Sequence, residues 1–219
     1  LFSPEILSQR FTLLRREFYL DLGVPIPGIS LRIVNSLAAD AYRISIRGVP
    51  VAQGVLKTQR GTTSNTELPS ETAAATGAEL TTSNPANARE TPDNLQSIHN
   101  HLAYLLRKHA AEFIGIQEIH TLYAKLEQAG YLELVREAQR ATNSTKTADV
   151  LRRLLNEGVS VRDLRQILET LVEFGEAEKD TGMLTERVRI SLKRQISYSF
   201  TNGTGVLPVY MFAPETEKL

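Results

Sequence analysis

The chain has 219 residues, 42% of them hydrophobic, enough to pack a core, so a folded protein of one large or two small domains is expected. Twenty-five basic residues balance twenty-five acidic ones, which excludes a global field able to hold polyanionic nucleic acid or an anionic membrane. The absence of cysteine excludes a disulfide framework and a thiolate nucleophile, and no apolar run approaches the ~20 residues that cross a bilayer.

Ser3-Pro4-Glu5 marks a helix start, because proline at the first helical position loses no needed hydrogen bond and an acid is favoured at the positive helix end. Leu7, Phe11, Leu14 and Phe18 share one face, and the helix should stop near Gly23, with Pro25 and Pro27 enforcing an extended connection. Ile29 to Val34 alternates loosely and a turn-like stretch follows to Asp40. Tyr42, Ile44 and Ile46 alternate with Arg43, Ser45 and Arg47 as in a half-buried strand. Gly48 and Pro50 break it, and Val51 to Leu56 is the expected hairpin partner. From Lys57 to Asn94 only Leu68 and Leu80 are large apolar residues, too few to offset the entropy of ordering, so this stretch is expected to be flexible.

Order is expected to resume after Pro92-Asp93. Ile98, Leu102, Leu105, Leu106, His109 and Phe113 form a helical stripe ending at Gly115, and a second helix with Ile119, Leu122, Tyr123 and Leu126 ends at Gly130. Tyr131 to Ala138 reads as a short helix, and the next, after Thr147, uses Val150, Leu151, Leu154 and Leu155 before Gly158. Another helix follows within two residues: Ser160 is its expected cap, Asp163 stands at the capping-box position, and Leu164, Ile167, Leu168 and Leu171 repeat at one-face spacing. Asp180 is the expected cap of a last helix running through Leu184, Val188, Leu192 and Ile196. Tyr198 to Phe200, the Gly-rich stretch after it and Val206 to Phe212 read as a hairpin. No repeat of 20 to 50 residues indicates a solenoid.

Four pieces match one family in order and spacing: Arg107 to Glu118, Ser160 to Leu171, Leu184 to Arg189 and Lys193 to Ile196. Together they resemble the export-gate family of bacterial flagellar and type III secretion systems, with Tyr42 to Val55 similar more loosely. The resemblance implies a noncatalytic cytosolic docking platform for protein export and virulence-associated secretion. Its implied partners are secreted substrate proteins, their chaperones, and the export ATPase and sorting components. It also implies a homo-oligomeric ring, typically of nine subunits, under a full-length protein embedded in the bacterial inner membrane, with this piece on the cytoplasmic side. Leu1 is not an initiator methionine, so a fragment is expected. Gln195-Ile196-Ser197-Tyr198 and Leu207-Pro208-Val209-Tyr210 resemble the injectisome branch more than the flagellar one.

The fold class expected is α+β in several small subdomains. An N-terminal mixed α/β subdomain comprises 1–56 plus 95–114, with a flexible or reduced insert at 57–94. A helical subdomain at 115–196 and the start of a C-terminal mixed subdomain with a hairpin at 197–219 complete it. The divisions at Gly115 and Ile196 are what the resemblance implies.

No chemistry competes strongly with this reading. His99 and His101 lie two apart and so point to different helix faces, and neither they, His109 nor His120 belong to a zinc pattern, so no metal or cofactor is expected. No G-x-S-x-G elbow marks a nucleophile, and Gly203-Thr204-Gly205 lacks the rest of a phosphate loop, so no catalytic residue is assigned. The alternative is a winged-helix nucleic-acid binder, since Arg152, Arg153, Arg162, Arg165, Arg187, Arg189, Lys193 and Arg194 lie on helices ahead of a hairpin. Against it, Glu157, Asp163, Glu169, Glu173, Glu176, Glu178 and Asp180 interleave with those bases and oppose phosphate binding. Arg162, Asp163, Arg165 and Glu169, opposite the apolar stripe, are the expected partner or protomer interface.

Overall fold

The computed structural model describes residues 4–38, 40–56, 92–201, 204–207 and 209. Its elements are mixed: eight α-helices among the described residues and one two-stranded antiparallel sheet, an α+β fold as expected. Two compact units divide it, Leu1–Phe11 with Ile29–Leu105, and Thr12–Gly28 with Leu106–Leu219.

In the first unit, β1 (Ala41–Ile46) pairs with β2 (Val49–Val55) across Arg47 and Gly48, whose φ values of 51° and 82° suit a two-residue hairpin turn. Pro50 does not break the ladder as expected. The register shifts between Ile44 and Ser45, and this bulge accommodates a residue that has no N–H to donate. Tyr42 hydroxyl and His101 Nδ1 lie 2.8 Å apart, their rings meeting edge to face at 5.8 Å, which ties the hairpin to α2 (Pro92–Lys108). Ile29 to Val34 forms no strand. The expectation for 57–94 lies outside the described residues as far as 91, but Pro92 to Asn94 already belong to α2 and Asn94 is buried. That helix ends at Lys108, short of Gly115, because a 3₁₀ turn, Ala110–Phe113, follows and buries Ala110, Ala111 and Phe113.

The second unit takes the later part of α1 (Pro4–Leu22) and a helical bundle: α3 (Ile116–Gln128), α4 (Leu132–Ala141), α5 (Ser144–Asn156), α6 (Leu164–Phe174), α7 (Thr181–Ser191) and α8 (Lys193–Phe200). The apolar stripe of α6 packs against α4 and α7, leaving Ile167, Leu168 and Leu171 fully buried, and α5 packs on α3 and α7. Buried polar groups are paired. Tyr123 hydroxyl donates to Thr147 Oγ1 at 3.2 Å, Thr147 and Thr142 hydroxyls are 3.1 Å apart, and Thr142 Oγ1 donates to Ala138 carbonyl. Burial pushes the Tyr123 phenol pKa above its ordinary value, partly offset by the bond to Thr147.

Several expected boundaries move for identifiable reasons. α5 starts before Thr147, because Asn143 Oδ1 accepts from Lys146 N and caps it. Asp163, not Ser160, caps α6, its carboxylate accepting from Gln166 N at 3.2 Å. Asp180 caps α7 as expected, but that helix ends at Ser191, whose hydroxyl bonds Val188 carbonyl, and α8 begins after Leu192. Tyr198 to Phe200 are the last residues of α8, not a strand, since three residues of β character do not stop a helix already propagating. Much of the second hairpin arm lies outside the described residues, and Val206, Leu207 and Val209 are in no strand.

Ser160 has a different task. The segment 159–163 runs along the C-terminal end of α1 and satisfies three carbonyls there: Val161 N donates to Leu22 O at 2.9 Å, Ser160 Oγ to Asp21 O at 2.7 Å, and Arg162 Nη1 to Leu20 O at 3.3 Å. Gly23 permits this approach. Its φ is +77°, and an added Cβ would lie 2.6 Å from both N and Cα of Arg162.

Leu168→Ala should lower stability by roughly 2 to 5 kcal/mol, read as a lower urea midpoint at unchanged slope. Gly23→Ala combines left-handed strain with a backbone clash and should cost roughly 2 to 5 kcal/mol. Gly130→Ala, at φ +95° but with open space, should cost only about 1 kcal/mol; equal losses would show that the close approach is unimportant. Because the Tyr123 pKa is raised on folding, its contribution is complete below the unfolded value of about 10 and is lost as pH rises through the folded value. Thermal melts from about pH 9 to about pH 11 should therefore fall for the parent and fall less for Tyr123→Phe.

Candidate protein-docking face

The four residues singled out from sequence lie at and just before α6, and each has a partner within the chain. Arg162 is exposed and anchored to α1 by its bond to Leu20 carbonyl, while Asp163 caps its own helix. Arg165 Nε donates to Glu169 at 2.8 Å, and its guanidinium lies 5.1 Å from the Tyr131 ring centroid, with Nη1 3.5 Å from the phenol oxygen. These hydrogen bonds, that to Glu169 foremost, push the Arg165 pKa further up. With the cation on the N-terminal side, this spacing is the weaker orientation for a helical ion pair, so it contributes little to the helix itself.

The loop that carries Arg162 is braced from two sides. Gln195 Nε2 of α8 donates to Ser160 carbonyl at 2.9 Å, and Arg107 pairs with Asp21 at 3.0 Å beside it. A groove of about 250 Å³ opens where the loop meets the ends of α1 and α3; Tyr19, Leu20, Lys125, Leu126, Arg162 and Leu164 are among its lining. Lys125 ammonium sits 3.9 Å from the centre of the Tyr19 ring. Of these, sequence reading assigned no role to Tyr19, Leu20 or Lys125. Their meeting depends on the contact between α1 and the loop, which leaves no mark on local periodicity.

Four of the remaining basic residues have partners within the chain. Arg152 donates to Ile114 carbonyl at 2.8 Å, Arg153 pairs with Asp149, Arg187 lies over the Phe174 ring, and Arg189 joins Glu157 at 2.6 Å and also Glu186. Hydrogen bonding to Glu186 is the main cause of the raised Arg189 pKa. A second groove, also about 250 Å³, is lined by these paired groups at Arg153, Glu157, Glu186 and Arg189. The histidines are dispersed: His101 meets Tyr42, His109 lies 2.6 Å from Glu112, and His120 is edge-on to Tyr123. Among the described residues no three His, Asp or Glu side chains are grouped to hold a metal ion, and no helix is long and apolar enough to cross a membrane.

Sequence and structural relatives agree with one another. The Yersinia pestis "Low calcium response locus protein D" is 39% identical over 228 residues, covering 97% of this chain and 32% of that protein; the chain spans about a third of the length of the curated relatives it matches. The structure of the Chlamydia pneumoniae CdsV protein superposes with a TM-score of 0.73 at 30% identity, covering 96% of this chain and 68% of the other. The same protein in complex with CdsO gives 0.70 at 29%, covering 94% and 63%. The nonameric EPEC SctV-C structure gives 0.68 at 28% identity, with 91% and 64% covered. Residues 3–219 match the FHIPEP family, and the chain belongs to it, the export-gate family of type III secretion that its four sequence blocks resemble.

Proposed function

We propose that the chain is a noncatalytic docking platform of a type III protein export gate. It works on the cytoplasmic side of the inner membrane, below the membrane-embedded part of the full-length protein. The observation that carries this reading is that a nonameric relative aligns with 91% of the chain, which supports assembly into a nine-membered ring. The complex of CdsV with CdsO supports a surface that receives other export components, and we assign it secreted substrates, their chaperones, and the export ATPase and sorting components. Gln195-Ile196-Ser197-Tyr198 and Leu207-Pro208-Val209-Tyr210 favour the injectisome branch. We further propose that Arg162, Asp163, Arg165 and Glu169 contribute to a partner or protomer contact, and that the subdomains divide at Gly115 and Ile196.

The physical mechanism is binding on the exposed sides of helices whose apolar sides are committed to the core. The winged-helix alternative lacks support where it needs it most. α8 occupies the place of the first wing strand, and Arg153, Arg165 and Arg189 are already paired with carboxylates.

Biosensor titration against an export chaperone bound to its substrate should give saturable binding, and sedimentation should show self-association rising with concentration. A DNA duplex should not bind with the steep salt dependence of phosphate neutralisation. Duplex binding with such a slope, together with no retention of the chaperone complex, would overturn the proposal.

A further inference from the structure

The groove at the ends of α1 and α3 combines apolar surface with cations that pair with no carboxylate among the described residues. Leu20 on its edge is 52% exposed, and Leu13, two turns earlier on the same side of α1, is equally so. Leu126 continues the apolar surface on α3. Single exposed leucines are ordinary, but here they run into a groove. The rim is cationic. Lys125 rests on the Tyr19 ring and Arg162 donates to a carbonyl, and neither forms an ion pair with a described residue. By contrast, Arg136, Arg140, Arg153, Arg165 and Arg189 are all paired with carboxylates. No acidic residue is among the groove's lining.

We infer that this groove receives an acidic amphipathic helix from an export partner, its leucine-like side chains on Leu20 and Leu126 and its carboxylates at Lys125 and Arg162. The inference rests on the docking-platform reading and names the chemistry of one occupant. Charge complementarity selects it. An incoming carboxylate gains a charge-assisted bond to each unpaired cation, while apolar contact beside it excludes water and strengthens that bond. A basic helix would bury the same leucines but meet two like charges. The groove lies between helix ends and offers no strand edge, so a helix lying in it, not an added strand, is the geometry that fits.

The test uses the full 219-residue chain and a fluorescent, alanine-based helical peptide of about 15 residues, with leucines at one-face spacing flanked by glutamates, beside a twin carrying lysine for each glutamate. The acidic peptide should bind at least about tenfold more tightly than the twin, and weaken as salt rises. Lys125→Glu, at an exposed position, cancels one of the two rim cations and should abolish that preference without lowering the melting temperature. Leu126→Ser should weaken both peptides. Equal binding of the two peptides, no binding of either, or an unchanged preference in Lys125→Glu would overturn the assignment. So would a Lys125→Glu chain whose only defect is self-association, since the groove would then belong to a second copy. If the parent chain still retains the chaperone complex when the peptide fails, the groove assignment alone is lost; loss of both removes the docking reading itself.

Discussion

The contact on which the second unit depends is backbone against backbone: segment 159–163 laid on the last turn of α1. A helix terminus leaves its final carbonyls without intrahelical donors, and burying that terminus requires donors from elsewhere. Val161 N, Ser160 Oγ and Arg162 Nη1 supply them to Leu22, Asp21 and Leu20. The approach is possible only because residue 23 has no Cβ and tolerates positive φ. A residue near the start of the chain and a loop about 140 positions later thus constrain each other. The groove beside them is a by-product of the same contact, because Tyr19 and Leu20 are brought against α3 when the end of α1 is held.

Electrostatics separates the surface into two kinds of charge. Arg136, Arg140, Arg153 and Arg189, on α4, α5 and α7, are neutralised by glutamates or aspartates within a turn or on the adjoining helix. Such pairs add little to stability when exposed, but they remove free charge from the surface. At the groove, two cations are left to aromatic and carbonyl partners, which orient them without cancelling them. The distinction matters more than the count of basic residues, since the chain as a whole carries no net charge.

Periodicity made the helical scaffold legible. Leu164, Ile167, Leu168 and Leu171 repeat at helical spacing because all four must reach one core, and all four are buried. Asp180 reads correctly as a cap for the same local reason, its carboxylate serving an amide two residues on. Ser160 defeats local reading: a serine three residues before an acid resembles a capping box, yet its hydroxyl is drawn to Asp21 carbonyl 139 residues away. Tyr198 to Phe200 fail differently, because aromatic residues at a helix end and in a strand look alike over so short a run. Of the four proposed interface residues, Arg162 and Asp163 precede α6 while Arg165 and the half-exposed Glu169 lie on it, whereas Tyr19 and Lys125 were invisible as a pair. Their proximity is purely tertiary.

The internal duties of Arg162 and Arg165 also bear on how a docking surface is built. A long cationic side chain loses rotamer freedom when it binds, and this cost is smaller if the chain is already held. Arg162 is tethered by Leu20 carbonyl, and Arg165 lies over Tyr131 while paired to Glu169. Lys125 is likewise steered by the Tyr19 ring. The difference is what remains for a partner: Arg165 would have to share or surrender Glu169, whereas Lys125 and Arg162 have charge to offer without breaking an ion pair. Preorganised but uncompensated cations beside exposed leucines therefore make the groove, more than the paired face of α6, the place where a partner gains most on contact.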